Sequence, residues 1–143
     1  MKAREIMTAE VECVTRQDSL SRAAQIMRDA DIGAVPVVDD RQSMKLVGVI
    51  TDRDIAIRHV AGDNAAECSV GDHMTSGRLH TVRPDDDVDD VLRTMKAEQV
   101  RRIPVTEDDR IVGIIAQADI AIDGESDRET GDMVEKISEP GRR

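Results

Sequence analysis

Apolar positions along the chain follow two spacings. Leu20, Ala23, Ala24 and Met27 step by threes and fours, which places them on one helix face, and Ser19 stands ahead of them as an N-cap. Val88, Val91, Leu92 and Met95 repeat that stripe behind Asp87. Between and after these helices lie short β-branched runs. Val35-Pro36-Val37-Val38 and Ile103-Pro104-Val105-Thr106 each lead through an acidic turn to a second run, Leu46–Ile50 or Ile111–Ile115. A short apolar strand is predicted before each helix, around Val11–Val14 and Leu79–Val82. A second helix is predicted to start at residues 51–52 and 116–117.

The same unit, β-α-β-β-α, is therefore written twice. Ile6-Met7-Thr8 recurs as His73-Met74-Thr75, and the phrase GVITDRD (48–54) recurs as GIIAQAD (113–119). The copies differ in length at one turn, where DDRQSMK shrinks to EDDR. A unit this small is marginal alone, so the two copies are expected to bury apolar faces against each other with approximate two-fold symmetry. The fold class is α/β (mixed α+β). The first unit spans residues 1–61, residues 62–72 connect, and the second spans 73–122. Residues 123–143 are a polar tail, either disordered or carrying a short helix with Met133, Val134 and Ile137 on one face.

Composition changes this picture in two ways. The chain has 143 residues and no Phe, Tyr or Trp, so aliphatic residues and Met must fill the core, at roughly 1.5–3 kcal/mol per buried large side chain. An aromatic stacking platform for single-stranded nucleic acid is excluded. Thirty acidic residues against twenty basic ones give a formal charge of −10, which disfavours nucleic acid and anionic membranes as partners. The N-terminal sequence has no apolar stretch resembling a signal peptide, and no run approaches a membrane span. Two cysteines do not make a disulfide framework. A cytoplasmic protein is expected.

The repeated phrase has two explanations. Thr51 with Asp54 three residues on is a capping-box pattern, and helix formation alone accounts for it. The same geometry suits a ligand: Thr51 can donate to a phosphate oxygen, Asp54 is the acceptor that a ribose diol requires, and Gly48 lets backbone approach. Arg101-Arg102, just before Pro104, suit phosphate, whereas the first unit has Gly33-Ala34 there. Pro104 suggests an exposed strand start. Arg101 and Arg102 also read as a solvated pair. If the copies face each other, Thr51 and Asp54 from one and the arginines from the other would complement.

Other chemistry is weaker. His59, His73 and His80 are the only histidines, and the five-residue step from Cys68 to His73 is not a convincing zinc spacing, so no metal site is expected. Cys13 reads as a small buried hydrophobe, with a redox role as its rival. Asp85-Asp86-Asp87 and Asp89-Asp90 straddle a helix start, where acids belong. No catalytic constellation can be assembled, so no enzyme is expected.

These residues resemble the CBS domain, and the tandem resembles a CBS pair, or Bateman module. The likeness rests on Ile6-Met7-Thr8 and His73-Met74-Thr75, the apolar-x-Pro-Val runs, and the closing Gly-to-Asp phrases, all repeated in order over residues 1 to about 122. The wording is similar to small stand-alone actinobacterial CBS-pair proteins of the hypoxia-response type. The resemblance implies a regulatory module that binds an adenosine-containing ligand, AMP, ADP, ATP or S-adenosylmethionine, in a cleft between the repeats, without a required cofactor. Asp54 and Asp119 would hold ribose, Thr51 the ribose or phosphate, and Arg101 and Arg102 phosphate. Thr81 occupies the threonine slot at the first strand, and Ala34-Val35 would line a base pocket. Cys13 replaces that threonine in the first unit, and Ala116 lacks the hydroxyl of Thr51. The lost hydroxyl suggests that the first-unit site alone kept full competence. A homodimer and an unidentified protein partner are implied. The alternative is a dimerising interaction scaffold without a nucleotide.

Overall fold

Both stripe helices form where their caps predict. The structure, a computed structural model, describes residues 1–62, 68–77 and 79–123. Helix α2 (Leu20–Ala30) is capped by Ser19, whose Oγ accepts from the Arg22 N–H at 3.0 Å. Helix α5 (Val88–Glu98) is capped by Asp87, which accepts from the Asp89 N–H at 3.0 Å. Each ends on a left-handed residue, Asp31 or Gln99, whose N–H returns to a carbonyl one turn back. The α5 stripe is buried as predicted. On α2 the buried set is Leu20, Ala23, Ile26 and Met27, while Ala24 is exposed. The buried face lies one row over from the predicted stripe, toward Ile26, because an alanine is too small to mark a face.

The strands follow. In chain order they are β1 (Val14–Thr15), β2 (Ala34–Val38), β3 (Leu46–Thr51), β4 (Arg102–Glu107) and β5 (Arg110–Ala116). Strand β1 pairs parallel with β2, which pairs antiparallel with β3. Strand β4 pairs antiparallel with β5, and the expected strand at Leu79–Val82 is reduced to a single bridge from Val82 to Val105. The shortened turn is now explained. Asp108 and Asp109 both have positive φ, 53° and 66°, as a two-residue primed hairpin turn requires. Pro104 is not an exposed strand start. It is buried third in β4, and its carbonyl accepts from the Val82 N–H at 3.0 Å. Proline fits there because its carbonyl, and with it its nitrogen, is turned toward Val82 and away from β5, so the missing N–H removes no bond from the β4–β5 ladder.

The compact units are not the sequence repeats. One unit is Glu12–Leu79, and the other joins Met1–Val11 to the chain from His80 onward. The lead-ins have exchanged. Helix α1 (Ala3–Ile6) and Thr8 attach to β5, with Thr8 bridged to Ile114 by two backbone bonds of 2.9 and 3.0 Å. Helix α4 (Val70–His73) and Thr75 attach to β3, with Thr75 bridged to Val49 at 2.8 and 2.9 Å. Each unit has its own aliphatic core. Val14, Val35, Val37, Ile50 and Val70 anchor one, and Met95, Ile103, Val105, Ile115 and Ile120 anchor the other. The suggested helix at Met133–Ile137 lies outside the described residues.

Candidate functional site

In each unit the closing strand runs straight into a helix, and the repeated phrase forms that junction. In Glu12–Leu79 the capping box is complete. The Asp54 N–H donates to Thr51 Oγ1 at 3.0 Å, and the Thr51 N–H donates to Asp54 Oδ2 at 3.1 Å. The Thr75 hydroxyl adds a long contact to the same oxygen at 3.5 Å, and Arg58 Nε stands 3.7 Å from Asp54 Oδ1. Asp54 is only 9% exposed, so burial of its charge is compensated by these donors. The short helix α3 (Asp52–Asp54) then continues as a π-helix over Ile55–Val60.

In the other unit Ala116 has no hydroxyl. The Ala116 N–H donates to Asp119 Oδ2 at 2.9 Å, and among the described residues that is the one side-chain hydrogen bond of Asp119. Asp119, on α6 (Gln117–Asp123), is half-buried.

Strand register decides which other residues join each acid. Ala34 lies opposite Thr51, with Val35 buried beside it. Arg102 lies opposite Ala116, so their side chains share a sheet face. The Arg101 carbonyl accepts from the Gln117 N–H at 2.8 Å, matching Gly33 and Asp52 at 2.9 Å in the first unit. Arg101 is exposed and Arg102 half-buried. The two arginines therefore sit in the same unit as Asp119, and Thr81 lies exposed in that unit ahead of Val82. Thr51, Asp54, Ala34 and Val35 belong to the other unit.

Gly48 and Gly113 have a different reason than ligand approach. A Cβ on Gly48 would lie 2.9 Å from both Met74 Sδ and the Thr75 carbonyl oxygen, and one on Gly113 would lie 2.5 Å from Met7 Sδ. Each glycine admits the lead-in Met-Thr segment, which is why the Met-Thr and Gly phrases recur together.

Cys13 is buried, and that burial pushes its thiol up from 9.0 to about 11, which keeps it protonated and inert at neutral pH. The acidic run is engaged in structure. Asp85 pairs with Arg4, whose hydrogen bond and charge hold that carboxyl below the usual range; Asp86 accepts from the Arg83 N–H at 2.8 Å; Asp90 pairs with Arg93. His80 stands 3.1 Å from a Glu98 carboxylate oxygen. His59, Cys68 and His73 form a cluster that the Cys68-to-His73 spacing alone does not reveal.

The profile of the CBS domain family matches residues 3–59 and 70–122. The chain belongs to the CBS domain family. As a CBS pair it is 36% identical over 142 residues to the uncharacterized protein YlbB of Bacillus subtilis, covering 99% of this chain and 95% of that protein. It is 39% identical over 119 residues to hypoxic response protein 1 of Mycobacterium tuberculosis, covering 83% of this chain and 82% of that protein. A crystal structure of Hypoxic Response Protein I, with two coordinated zinc ions, superposes with a TM-score of 0.74 at 39% identity, over 85% of this chain and 98% of that one. The CBS domain pair of protein MJ0100, in complex with 5′-methylthioadenosine and S-adenosyl-L-methionine, gives 0.72 at 29% identity, over 88% and 98%. CBSX2 in complex with AMP gives 0.71 at 25% identity, over 85% and 94%. Among the described residues no helix is long and apolar enough to cross a membrane.

Proposed function

We propose that this CBS pair is a cytoplasmic, non-enzymatic regulatory module that binds an adenosine nucleotide, and that Asp119, Arg101, Arg102 and Thr81 carry most of the recognition. The observation that supports this is the pairing of β4 with β5. It sets Arg102, at the start of β4 and next to Arg101, opposite Ala116 at the end of β5, the strand that leads to Asp119. A carboxylate suits the ribose diol and guanidinium suits phosphate, so a phosphate-bearing ligand such as AMP, ADP or ATP is favoured over S-adenosylmethionine. The relatives solved with AMP and with S-adenosyl-L-methionine support the ligand class. Thr51, Asp54, Ala34 and Val35 form the equivalent but more self-satisfied half. Thermal-shift measurement with AMP, ADP, ATP and S-adenosylmethionine tests the proposal. A nucleotide-dependent rise in Tm that is lost in Arg101→Ala/Arg102→Ala is expected. No shift with any of them at millimolar concentration would remove it.

The alternative, a nucleotide-free dimerising scaffold, has its own observation. Asp54 is already served by the chain's own donors, and Ile57 and Val60 on the following helical turn are 49% and 70% exposed. We propose a homodimer in either case. Light scattering of wild type and Val60→Asp, with the variant shifted toward monomer, tests whether that apolar patch is the contact.

A further inference from the structure

We propose that His59, Cys68 and His73 bind one zinc ion, which clamps α4 to the π-helical turn of the Glu12–Leu79 unit. Three observations carry this. The candidate ligand atoms of the three residues all lie within 4.8 Å of one another. His59 Nδ1 and His73 Nε2 are buried and have no hydrogen-bond partner. The two rings meet edge to face, with centroids 5.4 Å apart and planes at 70°, so they converge without stacking.

A buried imidazole nitrogen without a partner is destabilising, and here both histidines that carry one border the same thiol. Coordination satisfies both. Two imidazoles and one thiolate are a borderline-soft set suited to tetrahedral Zn²⁺, and Zn–N and Zn–S bonds of about 2.0–2.3 Å imply donor separations of roughly 3.3–3.7 Å. Small side-chain rotations close the set from its present spacing. The fourth position would be filled by water. His59 lies on a π-helical segment, a distortion often found at functional sites. His73 ends α4, and its carbonyl accepts from Arg58 Nη1 at 3.3 Å. Arg58 also faces Asp54, and Thr75 follows His73 by two residues, so the metal would brace the lead-in that completes the Asp54 capping box.

The ion is independent of any nucleotide, and so is its test. Metal-stripped, reduced protein is titrated with Co²⁺ as a spectroscopic probe and then with Zn²⁺. The expected result is one Co²⁺ per chain, a thiolate-to-cobalt charge-transfer band, displacement by Zn²⁺, and a higher Tm with Zn²⁺. Cys68→Ser abolishes the band, His59→Ala and His73→Ala each weaken Co²⁺ binding at least about tenfold, and Cys13→Ser and His80→Ala leave both unchanged. Wild-type protein supplies a check that needs no variant: Zn²⁺ protects Cys68 from alkylation, read by peptide mass. Absence of the band, its survival in Cys68→Ser, its loss in Cys13→Ser, or alkylation of Cys68 indifferent to Zn²⁺ would overturn the site.

Discussion

The two strand–helix junctions share a backbone and differ in how the acid is held. At Thr51–Asp54 both capping bonds form, Thr75 approaches, Arg58 stands nearby, and the carboxylate is almost wholly buried. At Ala116–Asp119 one capping bond forms, the acid is half-buried, and Arg102 lies opposite Ala116 in the strand register. In the proposed reading, duplication leaves the Thr51–Asp54 junction to serve the fold and the Ala116–Asp119 junction to serve a ligand. The hydroxyl lost at Ala116 removes a cap and leaves the acid less committed.

The largest expected effect on stability breaks the lead-in packing. Gly48→Ala should destabilise by about 1–3 kcal/mol, because its Cβ meets the Thr75 carbonyl, which is fixed by a two-bond bridge. Gly113→Ala should cost at least as much, because its Cβ would lie 2.5 Å from Met7 Sδ, 2.8 Å from Cγ and 3.1 Å from Cβ, close to the root of that side chain. A negligible Tm loss in Gly113→Ala would contradict this packing. Thr51→Ala should cost about 1 kcal/mol through the lost cap, measured by denaturant unfolding. The reciprocal change, Ala116→Thr, should recover a few tenths to about 1 kcal/mol in the other unit. Loss of stability there would mean that the junctions are not equivalent backbones.

The smallest effect concerns Cys13, which stands where the other unit has Thr81. Its raised pKa means that folding favours the thiol. That contribution is present below pH 9.0 and is lost as pH rises through about 11. Iodoacetamide should therefore label Cys13 slowly in folded protein at neutral pH and faster only as pH approaches 11. Prompt labelling at neutral pH would contradict its burial.

Most of the architecture was legible because it rests on local rules. Ser19 and Asp87 announce their helices, the Val-Pro-Val runs announce strands, and the shortened EDDR turn announces a tighter hairpin. What was not legible depends on long-range pairing. Nothing local reveals that Met7-Thr8 joins β5 while Met74-Thr75 joins β3, so Gly48 looked like a ligand glycine when it admits chain. Arg101 and Arg102 belong to the same unit as Asp119, with Arg102 in register with Ala116, a neighbourhood that no local spacing announces. The His59–Cys68–His73 cluster was hidden because its members come from a helical turn, a loop and the end of α4. His59 lies nine residues before Cys68, beyond a common zinc spacing, so no local pattern marked it.

The most direct measurement is isothermal titration of AMP into wild type, Asp119→Ala and Asp54→Ala, each first shown to be folded by circular dichroism. Binding to wild type should weaken at least about tenfold in Asp119→Ala, a loss of about 1.4 kcal/mol or more, and much less in Asp54→Ala. Weakening confined to Asp54→Ala, or no heat with wild type at all, would contradict the division of labour between the two junctions.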